Sequence, residues 1–402
     1  MDPRANGLVR ARWTRRPHGC TRQTTPCAVG EPMIGRHVSE LDTPCIVVDL
    51  QRLESNIRDV QSRVSGASLT LRPHVKAHKI AEIARLQLEE GAVGVTTAKL
   101  SEAEAFVDGG VRDLLVCYPI VGQKKVDRLV ALTNRARVLS VVDSARSAQA
   151  ISDAFARTGR EHEVLVKVDA GFGRIGVPRQ DVSQLVEMVG NLEGLAFRGV
   201  CIHEGSTYGV VDPSLRHRMA VDQCTTLVDV AQSLRRSGWE VPVVSAGSTP
   251  GLAGDLTVPG LTEVRPGNYV FYDAIQVGLG VAELRQCALT VLTTVVSTTR
   301  AGGFIVDAGS KVFGLDRGAH GLPVTDGYGI CVTRTGLMLT GLSEEHGWGA
   351  VADGGVKPEV GDVLRFVPNH ACSVVNTLDE VWVADGDVVV DRWDVCARGA
   401  VT

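Results

Sequence analysis

The octapeptide Arg72-Pro73-His74-Val75-Lys76-Ala77-His78-Lys79 places a lysine among four other basic side chains. Nearby cations and burial both disfavour a charged ammonium, so Arg72, His74, His78 and Lys79 are expected to favour the neutral amine of Lys76. A neutral amine near physiological pH is a nucleophile that forms an imine with an aldehyde, which is the chemistry of an aldehyde cofactor. A second cluster lies near the C-terminus, in Pro368-Asn369-His370-Ala371-Cys372. Residues two apart on a strand share a face, so a strand here is expected to turn His370 and Cys372 toward one metal ion. A thiolate ligand favours Zn²⁺, and two protein ligands leave positions open for a substrate oxygen.

Three further segments carry polar groups at strand ends. Ser245-Ala246-Gly247-Ser248-Thr249-Pro250-Gly251 follows a strand-like run and offers Gly247 for close backbone approach, hydroxyls from Ser248 and Thr249, and a proline suited to open a helix. Such a turn can cradle a phosphate. His203-Glu204-Gly205-Ser206-Thr207-Tyr208 supplies a candidate base in His203. Glu263 to Asp273 supplies Arg265 and Tyr269. Gly171-Phe172-Gly173-Arg174-Ile175-Gly176 spells GxGxxG after a strand, but Val177-Pro178 follows where a dinucleotide fold needs a helix to open. The glycines are therefore read as a strand-end loop, with Arg174 facing the site or pairing with Asp169.

These groups need strand ends to hold them. From Leu41 the chain alternates strand-like and helix-like segments over about 240 residues, the pattern of a (β/α)8 barrel. The eight candidate strands are 45–50, 68–72, 94–97, 113–117, 138–142, 164–169, 199–202 and 241–246. Leu53, Ile57, Val60 and Val64 repeat at helical spacing between the first two. Lys76 then follows the second strand, at the end where barrels of this kind carry their chemistry. After about Val281 the pattern changes to short strands separated by turns, an all-β unit with candidates at 288–298, 303–307, 336–342, 362–367, 380–384 and 387–391. The expected domains are a barrel over 38–280 and a β domain over 281–402.

Residues 1–37 contain seven arginines and few apolar side chains. They are read as a disordered basic leader, or as sequence preceding a true start at Met33. The ten cysteines form no CxxC pair, no secretory segment is recognisable, and no apolar run reaches the roughly 18–20 residues of a membrane helix. A cytoplasmic protein with reduced thiols is expected. The net charge of −4 excludes the broad basic surface that nucleic-acid binding requires.

The RPHVKAHK, KVDAGFGRIG, SAGSTPG and PNHAC segments together resemble those of fold-type III pyridoxal 5'-phosphate enzymes, in the group of D-serine dehydratases and D-threonine aldolases. The resemblance runs from about Leu41 to the C-terminus. It implies that Lys76 is the Schiff-base lysine and that His74, Arg174, Tyr208, Gly247, Ser248, Thr249, Arg265 and Tyr269 contact the cofactor. Arg265 stands where the related alanine racemases face the pyridine nitrogen with an arginine, and Lys76 and His203 are the candidate catalytic residues. It also implies a divalent metal at His370 and Cys372, with Zn²⁺ favoured and Mn²⁺ the alternative. The substrate implied is a small β-hydroxy-D-amino acid, acted on by a homodimer. Elimination and retro-aldol cleavage are both open, with amino-acid racemisation as the rival reading.

Overall fold

The structure, a computed structural model, describes residues 33–319 and 322–402; the leader up to residue 32 lies outside the described residues. Ile34–Thr402 form one compact unit. The first ten strands are β1 (Cys45–Asp49), β2 (Thr70–Leu71), β3 (Val95–Thr97), β4 (Asp113–Val116), β5 (Arg137–Val142), β6 (His162–Asp169), β7 (Val177–Pro178), β8 (Leu195–Cys201), β9 (Val243–Ala246) and β10 (Glu263–Val264). The rest are β11 (Leu289–Ser297), β12 (Gly303–Val306), β13 (Gly318–Ala319), β14 (Leu322–Pro323), β15 (Gly329–Cys331), β16 (Leu337–Leu342), β17 (Gly347–Val351), β18 (Val363–Pro368), β19 (Glu380–Asp385) and β20 (Val388–Asp394).

Eight strands pair in parallel in the order β2-β10-β9-β8-β6-β5-β4-β3. The two ends of the row meet, because Val93 N–H donates to Leu71 O at 2.9 Å, Thr96 N–H donates to Pro73 O at 2.8 Å, and His74 bridges Thr96. The barrel is thus closed, and all its strands end on one side. Alternation along the strands fills it: Leu115, Leu139, Val141, Leu165 and Cys201 point inward, while Leu114, Val116, Val138, Val164 and Val166 pack on the surrounding helices. Burying each large aliphatic side chain contributes about 1.5–3 kcal/mol.

One barrel strand differs from the sequence expectation. The run at 45–50 is not the first barrel strand: β1 pairs antiparallel with β11 and parallel with β19 in the other sheet. The eighth barrel strand is the two-residue β10, between β9 and β2. Cys45 to Val48 are all buried, and a continuous apolar run suits a mixed sheet as well as a barrel. The second sheet runs β12-β17-β16-β15-β18-β11-β1-β19-β20, and β12 also pairs with β11, so six of its strands close on themselves. Asp49 caps the helix Leu50–Gly66 by accepting Arg52 N–H at 3.0 Å, and Leu53, Ile57, Val60 and Val64 form its buried face as expected. Gly35 N–H donates to Val389 O and Val389 N–H to Arg36 O, so the end of the leader is tied to β20.

A buried charge chain supports the closure. Arg72 Nε donates to Glu263 Oε2 at 2.7 Å and its NH1 to Asp113, while Ser245 Oγ donates to Glu263 Oε1 at 2.6 Å and accepts from Arg265 NH1. The chain thereby joins β2, β4, β9 and β10. Gly94, at φ +159°, leaves room for Arg72, whose NH1 would lie 2.3 Å from an added Cβ. Removing one member of a buried pair strands the other charge, at a cost of about 3–5 kcal/mol. Glu263→Gln is expected to lower unfolding free energy by about that amount in a denaturant titration; a loss below about 1 kcal/mol would show that Asp113 alone satisfies Arg72.

Candidate active site

Lys76 sits in the single 3-10 turn Val75–Ala77, between two fully buried residues that point its own side chain outward. His74 caps the turn, its Nδ1 accepting Lys76 N–H at 3.4 Å. The octapeptide does not surround Lys76 with its own cations, which corrects the sequence expectation. Arg72 is spent on Glu263 and Asp113. Lys79 donates to Ala397 O at 3.2 Å and lies 3.7 Å from Glu102. His78 is neutral, because burial pulls its pKa down to about 3.

The cations come from elsewhere in the chain. A cleft is lined by His74, Lys76, Lys167, Arg174, His203 and Arg265, with Cys117, Ile175 and Gly247 between them. Lys167 and Cys117 were missed in the sequence, although each stands two residues beyond an inward-facing barrel residue, Leu165 and Leu115. That period of two was the available signal. Lys167 Nζ is buried and has no hydrogen-bond partner among the described residues. Burial pushes the His203 pKa well below its ordinary value, helped by Lys76, Lys167 and Arg174. His203 Nδ1 donates to Gly247 O at 3.1 Å, so the neutral ring keeps its bare Nε2 as an acceptor. Burial, with Lys76 and Arg265, likewise keeps His74 neutral.

The glycine-rich loop after β6 turns into β7 and a 3-10 turn, Arg179–Asp181, before the helix Val182–Gly190 begins. No helix opens on the glycines, in keeping with the rejection of a dinucleotide site. Asp169 Oδ1 accepts the N–H groups of Gly171, Phe172 and Gly173 at 2.9–3.1 Å, while Arg174 stacks on the Phe172 ring at 4.9 Å. Arg265 is buried on the floor, donating to Ser245 Oγ and Ile202 O.

In the loop after β9, Gly247 has φ +154°, and an added Cβ would lie 2.2 Å from Arg265 N. Gly247 N–H donates to Glu204 Oε2 at 2.9 Å, and Ser248 Oγ accepts Gly251 N–H at 3.0 Å, so both groups hold the loop. The following helix, Leu252–Asp255, is one turn long, so the expected helix start after Pro250 supplies little dipole. Thr249 lies buried near the half-buried Tyr208 of the turn Gly205–Gly209. Beneath the loop, burial and the neighbouring Glu204 carboxyl hold Asp255 well above the ordinary carboxylate range. Tyr269 is not at the cleft, contrary to the expected cofactor contact. It is fully buried among Ile46, Leu53, Ile80 and Ile83, and its hydroxyl accepts Gln87 Nε2–H at 2.9 Å. Burial of aromatic positions beside a motif looks the same in sequence whichever way the ring points.

His370 and Cys372 do converge, but not on a strand. β18 ends at Pro368, His370 holds the N-cap position of the short helix Ala371–Val375, and Cys372 lies in its first turn, beside the imidazole. Burial alone would raise the thiol; the charge and hydrogen bond of His370 outweigh it and hold Cys372 below its ordinary pKa. Asn268 Nδ2 approaches Cys372 Sγ at 3.8 Å, and Ala371 N–H donates to Asp273 Oδ2 at 3.0 Å. This helix packs directly on the Val75–Ala77 turn, so the imidazole–thiol pair and Lys76 belong to one site.

Residues 48–274 match the alanine racemase N-terminal domain family, and residues 288–384 match a serine dehydratase domain family. The chain is 34% identical over 368 residues to D-threo-3-hydroxyaspartate dehydratase of Delftia sp. (strain HT23), covering 88% of this chain and 97% of that protein. It is 33% identical over 380 residues to D-threonine aldolase of Arthrobacter sp, covering 93% and 96%. D-threonine aldolase from Filomicrobium marinum superposes with a TM-score of 0.85 at 31% identity, over 93% of this chain and 100% of that one. A cysteine-to-alanine variant of the Delftia dehydratase, solved in the metal-free form, superposes with a TM-score of 0.83 at 33% identity, over 89% and 98%. The chain belongs to the fold-type III pyridoxal-phosphate enzymes. The residues present fit that cofactor: Lys76 offers the amine, and the unpartnered buried ammonium of Lys167 calls for an anion, which a phosphorylated pyridine with an ionised ring oxygen provides. Fold-type III enzymes as a class thus account for the excess of cations in this cleft. An imidazole and a thiol held together with low proton affinity at sulfur are also a donor set suited to a divalent ion.

Two outcomes follow. The unfolded chain releases the Asp255 proton above about pH 4, whereas the folded protein retains it, so this group's contribution to stability falls as pH rises and levels off only above its folded pKa. Asp255→Asn keeps a donor toward Glu204 and cannot ionise. Its melting temperature is expected to fall less with alkaline pH than that of the wild type; parallel curves would place the proton elsewhere. Tyr269→Phe should cost about 1 kcal/mol through Gln87 and leave cofactor affinity unchanged, whereas a weaker cofactor complex would return Tyr269 to the site.

Proposed function

We propose that this chain is a pyridoxal-phosphate and divalent-metal-dependent lyase of β-hydroxy-D-amino acids. The observation that carries the reading is the placement of His370 and Cys372 against the turn that bears Lys76. Named relatives dehydrate or cleave such substrates, and a cysteine-to-alanine variant of one of them is metal-free. The cofactor, when bound, withdraws electrons from the α-carbon, and Lys76, Arg174 and Arg265 are the residues proposed to hold it, with Ser248, Thr249 and Tyr208 toward its phosphate. The metal is proposed to be Zn²⁺ on account of the thiolate, with Mn²⁺ the alternative, and to polarise the β-hydroxyl.

The remaining chemistry belongs to the protein's own bases. The Lys76 amine, freed by substrate, takes the α-proton, the β-hydroxyl leaves as water, and the released enamine tautomerises to an imine that water hydrolyses to an oxoacid and ammonia. His203, with Nδ1–H committed to Gly247 O, has Nε2 available to accept the hydroxyl proton, which would instead cleave the α–β bond. A racemase needs an acid or base on each face of the α-carbon and has no use for the His370–Cys372 pair. On the family resemblance alone, the reading extends to a cytoplasmic homodimer; among the described residues no helix is long and apolar enough to cross a membrane.

The test is incubation of cofactor- and zinc-loaded enzyme with D-threonine, D-serine and D-threo-3-hydroxyaspartate, with products resolved by mass. Glycine plus an aldehyde identifies retro-aldol cleavage; oxoacid plus ammonia identifies elimination. Chelation is expected to abolish either, and Lys76→Ala to abolish both. Exchange of the α-proton that survives chelation, with neither product, would replace the lyase reading by racemisation.

A further inference from the structure

The His370 imidazole has a partner that neither the motif nor the cleft includes. Asp316 lies in the loop after the short helix Ser310–Phe313, more than fifty residues before the His370–Cys372 pair in the chain. Its Oδ2 is 2.7 Å from His370 Nδ1 and accepts Ser373 Oγ–H at 2.7 Å, while Ser373 Oγ is 3.2 Å from the same Nδ1. The loop is itself pinned, because Asn369 Nδ2 donates to Asp316 O at 2.9 Å and to Gly327 O at 2.7 Å. Three polar anchors within five residues, Asn369, His370 and Ser373, therefore fix one carboxylate against one ring nitrogen.

An ionised carboxylate only accepts, so Nδ1 must carry its hydrogen and the Nε2 lone pair is the one left to bind. The carboxylate also makes the imidazole a stronger donor. We infer that Asp316 is the positioning residue of the metal centre, fixing the His370 tautomer and ring orientation so that Nε2 and the Cys372 sulfur are presented together to one divalent ion. This rests on the proposed metal role of His370 and Cys372. The role is distinct from ligation: Asp316 touches the ion only through His370. Its loop continues into β13, which packs on the Tyr208 turn, so the carboxylate couples the two halves of the site.

The experiment is zinc retention by cofactor-loaded enzyme dialysed against buffers of fixed free Zn²⁺, read by atomic emission. It compares the wild type with His370→Ala, Asp316→Ala, Asp316→Asn and Ser373→Ala. Asp316→Ala is expected to weaken retention about 10–100-fold. Asp316→Asn, whose amide oxygen still accepts from Nδ1–H, should recover part of that loss and carries the test if the alanine variant does not fold. Ser373→Ala leaves the carboxylate–imidazole contact and is expected to change retention about threefold or less. If His370→Ala loses zinc but both Asp316 variants stay within about twofold of wild type, Asp316 has no positioning role. If the wild type retains no zinc, or His370→Ala retains it equally, the metal reading itself fails and the inference falls with it.

Discussion

The chain of buried polar contacts from Arg72 through Glu263 and Ser245 to Arg265 connects barrel closure to the active site. A parallel barrel needs its last strand to pair with its first, and here that strand is only Glu263–Val264. Two residues provide few ladder hydrogen bonds, so side-chain contacts across β2, β9 and β10 add to the seam. The same contacts orient Arg265, the next residue along, into the floor of the cleft. Closure and cofactor site are therefore not independent.

The electrostatics of the site follow from where each charge is neutralised. Arg72 and Lys79 flank Lys76 in sequence but are paired with Glu263, Asp113 and Glu102, and His78 is buried without charge. The charges left over are Lys167 and Arg174, from the end of β6, and Arg265, from the end of β10. They surround Lys76 and keep His74 and His203 neutral, which leaves an imidazole base in a cationic pocket. A trianionic cofactor balances that excess, whereas a neutral ligand would not.

The second sheet contributes as much to the chemistry as the barrel does. It takes β1 from the N-terminal part of the chain and β11, β12 and β15 to β20 from the C-terminal part, so the two halves are built together. That shared construction holds the Ala371–Val375 helix against the Lys76 turn, and the Asp316 loop against the start of that helix. On the proposed reading, the imidazole–thiol pair beside Lys76 is what distinguishes a lyase from a racemase.

Local sequence determined the barrel class, the helix Leu50–Gly66, the position of Lys76 after β2, and the choice of His203, Arg174, Gly247, Arg265, His370 and Cys372, because period, turn residues and reactive side chains are all short-range signals. Tertiary structure alone decided that β1 leaves the barrel and that β10 completes it, since a buried apolar run carries no record of which sheet will receive it, and a two-residue strand carries no run at all. It also decided that Tyr269 faces the core, that His370 and Cys372 meet at a helix N-terminus, that Lys167 lines the cleft, and that Asp316 reaches His370. Those outcomes depend on which distant carboxylate, ring or strand arrives at each side chain, and a contact between residues far apart in the chain leaves no mark on the spacing of either.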